Sequence, residues 1–151
     1  MRLFAYTLAL ALFGCTSSLS AEISRLAEAS GESKLELSKV GGAQWERICF
    51  LGPYSNNESA TKTLGFPWDV ESRTSILTSD GINVLVFVIG EKVVAYTEHP
   101  RTEDFWKLSG QCFPRSDAVF VKSAGSYVRV SAQLGAPADV FASAALRQIR
   151  G

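Results

Sequence analysis

The side chains best suited to nucleophilic or acid–base chemistry are three cysteines, Cys15, Cys49 and Cys112, and the single histidine, His99. A thiol beside an imidazole base would be an activated nucleophile. Cys49, however, stands in the apolar run Ile48-Cys49-Phe50-Leu51, and a thiol in such surroundings is inert. His99 precedes Pro100 just past an expected strand and reads as an exposed loop residue. Catalysis by this pair is not expected. Glu103-Asp104 fits a helix start, and Asp69 and Glu71 flank a loop. A glycosidase-type pair of carboxylates brought together by the fold stays open, because such residues need not be close in sequence. No Gly-x-Ser-x-Gly elbow and no phosphate-cradling loop is present. Neither Cys49 nor Cys112 has a second cysteine or histidine at ligand spacing, so no metal and no cofactor is expected.

What the cysteines do depends on the compartment, and the first residues speak to that. Arg2 is followed by an uncharged apolar run from Leu3 to Phe13, the layout of a secretory signal. The run is about eleven residues, short of the roughly twenty that span a bilayer as a helix. It closes in Leu12-Phe13-Gly14-Cys15, which resembles the lipobox of bacterial lipoproteins. That resemblance implies a chain whose mature form starts at Cys15 and carries acyl chains there, palmitate among them. Thr16, rather than aspartate, follows, and the resemblance then implies the outer membrane of a Gram-negative cell, facing the periplasm. Acyl chains contribute about 0.8 kcal/mol per buried methylene, enough for durable anchoring when several act together. Cleavage near Leu19-Ser20-Ala21 is the alternative, giving a soluble periplasmic or secreted protein. In an oxidising compartment Cys49 and Cys112 are expected to form a disulfide, although two free buried thiols remain open. Closing a loop of about sixty residues stabilises by roughly 4 kcal/mol in the chain-entropy account.

Residues 1–14 are thus read as a signal peptide, 15–33 as lipid-bearing terminus and tether, and 34–151 as one globular domain. Ser17, Ser18 and Ser20 suit a flexible connection, with a short helix over Glu22–Ala29 ended by Gly31. Lys34–Ser38 alternates polar and apolar like a half-exposed strand, and Trp45–Leu51 returns after the Gly41-Gly42 turn. Ser55 and Glu58 sit at capping-box spacing for a helix from Asn56 to Leu64. Thr74–Thr78, Ile82–Ile89 and Lys92–Thr97 are expected to form a three-stranded meander, about 74–97. Its middle strand is apolar and β-branched enough to be buried on both faces. A helix capped by Thr102 should turn Phe105, Trp106 and Leu108 inward. A hairpin follows at about 118–132, and a C-terminal helix is expected over Pro137–Ile149. The class is α+β: an antiparallel sheet with short helices.

Fifteen basic residues balance fifteen acidic ones, and the basic ones are scattered singly, so no field draws the chain to nucleic acid. Loop aromatics remain as a weak functional hint. Tyr54, Phe66 and Trp68 flank the expected Asn56–Leu64 helix and form a candidate binding surface. The sequence is therefore read as a lipid-anchored envelope protein, a non-enzymatic binding or accessory module with an envelope protein as partner. A small periplasmic hydrolase and a soluble inhibitor-like domain are the alternatives.

Overall fold

The computed structural model describes residues 16–31, 34–42 and 44–130. Cys15 and the expected C-terminal helix at Pro137–Ile149 lie outside them. The fold is α+β. Its centre is β3 (Ile82–Ile89), flanked by β2 (Arg47–Leu51) and β4 (Lys92–Pro100), with β5 (Cys112–Pro114) beyond β2. All pairings in this four-stranded sheet are antiparallel. A smaller antiparallel sheet sets β6 (Val119–Ser123) between β1 (Leu35–Glu36) and β7 (Ser126–Arg129).

Alternation along β2 and β3 divides the core in two. Ile48, Phe50, Leu85 and Phe87 face the smaller sheet and the helix α1 (Thr16–Ser30), whereas Cys49, Leu51, Val84, Val86 and Val88 face the helix α2 (Asn57–Leu64). Residues 83–88 of β3 are all buried, as its β-branched run requires. On the first face Phe50 packs between Phe105, Phe113 and Phe120 at centroid separations of 5.4, 5.9 and 5.4 Å, joining the two sheets. Helical segments thus cover both faces of the larger sheet.

The β2–β5 register sets Cys49 directly opposite Cys112, and the two are joined in a disulfide across 63 residues of sequence. The expected bridge is present.

Four elements differ from expectation. α1 begins at Thr16, six residues before the anticipated helix, and takes in Ser17, Ser18 and Ser20. Leu19, Ile23, Leu26 and Ala27 recur at helical spacing and pack on the core, with Ile23 fully buried and Ala27 6% exposed. This segment is part of the domain, not a free tether. β1 is only Leu35–Glu36, and the end of the expected strand Lys34–Ser38 passes into a 3-10 turn at Leu37–Lys39.

Thr74–Thr78 is not a strand: Ile76–Thr78 forms a 3-10 turn, and β2 takes the expected place beside β3. The segment's polar groups are engaged in hydrogen bonds outside any ladder. Thr74 donates its amide and hydroxyl to the Val70 carbonyl, and the Ser75 amide and hydroxyl donate to Glu98. The helix expected after Thr102 shrinks to a 3-10 turn at Trp106–Leu108. The Asp104 carbonyl instead accepts from the Tyr127 amide and the Ser126 hydroxyl, which ties this segment to β7. Phe105 and Leu108 are buried, but Trp106 is 51% exposed.

Candidate functional site

β4 runs on to Pro100, which carries His99 into the interior. Opposite Asn83 and Leu85 of β3, His99 and Thr97 point towards the α1 side of the sheet. His99 is fully buried, correcting its reading as a loop residue. On one side the Ser20 hydroxyl of α1 lies 2.9 Å from Nδ1. On the other, Nε2 lies 3.0 Å from Oε2 of Glu103, without the alignment of a hydrogen bond. A carboxylate at Nε2 favours the tautomer protonated there, leaving Nδ1 to accept the Ser20 proton. Burial lowers the His99 pKa below the ordinary 6.5, against the opposing pull of Glu103, so the ring is neutral at neutral pH.

Glu103 is held from several directions. Its Oε2 accepts from the hydroxyls of Ser24 and Thr102, each at 3.2 Å. Ser20 and Ser24 are one helical turn apart on α1, so a single stripe of the helix serves both His99 and Glu103. Burial pushes the next residue, Asp104, upward in pKa. The two-pronged contact from Arg101 at 3.1 and 2.9 Å, with the Trp106 amide, outweighs it and holds the carboxyl below its usual range. Asn83 lies in the same buried layer, beside Asp104, without a well-formed hydrogen bond among the described residues.

Serine, histidine and glutamate in sequence of contact have the makings of a nucleophile, base and orienting acid. The array joins α1 to β4, and of its members only Glu103 lines the neighbouring cleft. Cys49 belongs to the opposite face of the sheet and is tied in the disulfide, so it makes no pair with His99.

Glu103 does reach the surface. It contributes to a cleft of about 640 Å³ between the end of α1, at Ala27, Glu28 and Gly31, and the β6–β7 hairpin, at Lys122, Ala124, Gly125 and Tyr127. The hairpin loop is the pair Ala124-Gly125, both with positive φ (48° and 78°). That backbone twist matches two antiparallel strands and sets Lys122 and Tyr127 across from each other in the β6–β7 register. Tyr127 stacks on Phe105 at 4.9 Å. Burial, then the Glu103 charge, raises the pKa of its phenol.

The loop aromatics do not form one exposed patch. Tyr54 is 60% exposed, with φ at 61° and its amide donating to the Ile76 carbonyl. Phe66 is buried in the α2-side core with the Arg47 guanidinium 6.0 Å from its ring centre. Trp68 is half-buried, edge-on to Tyr96 at 5.3 Å. The cleft residues Glu28, Glu103, Lys122 and Tyr127 were not singled out as a site from sequence. The signal for the buried part was the Ser20–Ser24 spacing along the apolar stripe of α1. Nothing local announces that the hairpin lies alongside.

Among the described residues no group of three or more histidines, cysteines or carboxylates is placed to hold a metal ion, and no helix is long and apolar enough to cross a membrane. No family model matches the chain, and neither a curated protein nor a solved structure does.

Proposed function

We propose that this chain is a lipid-anchored cell-envelope binding module that takes a polar ligand in the cleft between α1 and the β6–β7 hairpin. The observation that carries the reading is the cleft itself. It is a concave site of about 640 Å³ with charges of both signs and one carboxylate, Glu103, fixed by hydroxyls behind it. Small-ligand sites are concave and hold a few placed polar groups of this kind. The anchor rests on the lipobox-like Leu12-Phe13-Gly14-Cys15. Because α1 starts at Thr16 and packs on the core, a lipid on Cys15 would hold the domain close against the bilayer, not at the end of a long tether.

Two measurements test this. Intact mass of the chain recovered from a bacterial membrane fraction should show a first residue at Cys15 with added acyl mass. An unacylated chain starting near Glu22 would remove the anchor. It would also remove Ser20, so the His99 contact would be missing from the secreted form. For the cleft, a screen of small polar compounds by amide chemical shifts should perturb Glu103, Lys122 and Tyr127. Perturbations confined to Tyr54 and its neighbours would move the recognition surface there.

A second reading has one observation in its favour: Glu28 and Glu103 line the same cleft, as a hydrolase working through two carboxylates requires. Turnover of a glycoside substrate that is abolished in Glu103→Gln would establish it. Binding is preferred because Glu103 is engaged by Ser24, Thr102 and His99, which positions a fixed charge more than a mobile proton donor.

A further inference from the structure

We infer that the ligand of this cleft is a zwitterion, a short peptide with free termini, its ammonium on Glu103 and Glu28 and its carboxylate on Lys122; the inference rests on the cleft being a binding site. The two walls carry opposite charge. Glu28 belongs to the last turn of α1 and Glu103 lines the cleft bonded to Ser24 of the same helix, while Lys122 comes from the hairpin. Among the described residues neither Glu28 nor Lys122 is engaged in an ion pair, so both charges are available to a ligand.

The hydrogen bonds and the ion-pair contact of Glu103 among the described residues all fall on Oε2, which leaves Oε1 for a ligand. A plain cation would meet repulsion from Lys122, and a plain anion would meet two carboxylates. A hard divalent cation would find too few oxygen ligands and an ammonium among them. A molecule with an ammonium at one end and a carboxylate at the other satisfies both walls at once. At about 640 Å³ the cleft falls within the range of roughly 300–1,000 Å³ typical of ligand pockets, room for a few small residues.

The test is titration of the isotope-labelled mature chain with Ala-Ala-Ala, its N-acetyl form and its C-terminal amide. Amide shifts at Glu103, Lys122 and Tyr127 should appear with the free tripeptide. Acetylation should weaken binding by about tenfold or more, as loss of a charge-assisted hydrogen bond does, with a smaller loss for the amide. Glu28→Gln should reduce affinity for the free tripeptide but not for the acetylated one, and Lys122→Met should do so for the free form but not for the amide. Both positions are exposed, so these variants should fold. Equal cleft binding of free and blocked peptides overturns the zwitterion while leaving the cleft as a binding site. No cleft response to any of the three also overturns it, and the polar-compound screen then decides separately whether the cleft binds at all.

Discussion

Nδ1 of His99 lies 2.9 Å from the hydroxyl of Ser20, 79 residues earlier in the chain. The contact fastens α1 to the inner face of the larger sheet, and with Glu103 on the other ring nitrogen it forms the polar seam behind the cleft. Because the imidazole is buried, the seam is sensitive to protonation.

Acidification should therefore weaken the fold. The folded-state pKa of His99 is lowered, so the unfolded chain binds the proton more tightly, and stability falls as pH drops below the unfolded value near 6.5. The loss grows until pH reaches the lower folded-state value. Glu103, the charged group facing the ring, moderates the effect without reversing its sign. Urea midpoints should decline between pH 7 and pH 5, and His99→Gln should flatten that slope. An unchanged slope in the variant would place the titration elsewhere.

α1 should behave as core. Ile23 is fully buried, and truncation of such a residue costs about 2–5 kcal/mol. Ile23→Ala should lower the unfolding free energy by that amount, whereas in a flexible tether the same change would leave the midpoint where it was.

The disulfide should contribute heavily. Cys49 and Cys112 close a loop spanning 63 positions, for which chain entropy alone gives about 4 kcal/mol. The double variant Cys49→Ala, Cys112→Ala, compared with wild type in non-reducing urea, should lose stability of this order. A difference below about 1 kcal/mol would count against the entropic account.

Gly52 should not tolerate a side chain. A Cβ placed there would meet the Ser109 Oγ at 2.5 Å and its Cβ at 2.9 Å, and the Gly52 amide donates to that same hydroxyl at 2.9 Å. Gly52→Ala should cost about 1–3 kcal/mol through overpacking. Ser109→Gly relieves the clash but also removes the acceptor of the buried Gly52 amide, so by itself it should be destabilising, and the double variant should be more stable than the sum of the two single changes. Strict additivity would mean that the clash is not the cause.

Much of the fold was legible in residue order because it rests on local patterns. The run Ile82–Ile89, seven of whose eight residues are apolar and most of these β-branched, could satisfy its side chains only as a strand covered on both sides. The hairpins turn at Gly90 and at the Ala124-Gly125 pair, and Gly65, with φ at 84°, ends α2 after Leu64 as expected. The N-cap fell one residue along, at Asn56 with Ser59 completing the box, because amide and hydroxyl caps of similar strength compete there. Cys49 and Cys112 were paired correctly because only these two cysteines remain once Cys15 is set aside.

What order alone did not decide was which elements share a surface. Thr74–Thr78 has the composition of a strand, but β2 won the place beside β3, since pairing partners are chosen by long-range burial and not by propensity. α1 looked like tether because serine and glutamate dominate it, and its thin stripe of Leu19, Ile23, Leu26 and Ala27 acquires meaning only with a sheet to pack on. His99 looked exposed because the strand before it was expected to end at Thr97, whereas β4 runs on to Pro100. Ser20 and Glu103 meet its ring only once α1 crosses β4, and the same crossing brings Glu28 and Lys122 to one cleft. The sequence by itself determined the elements with strong periodicity, their turns and the one covalent cross-link. The tertiary structure decided the neighbours, and hence the site, because contacts between distant segments carry no signature in either segment taken alone.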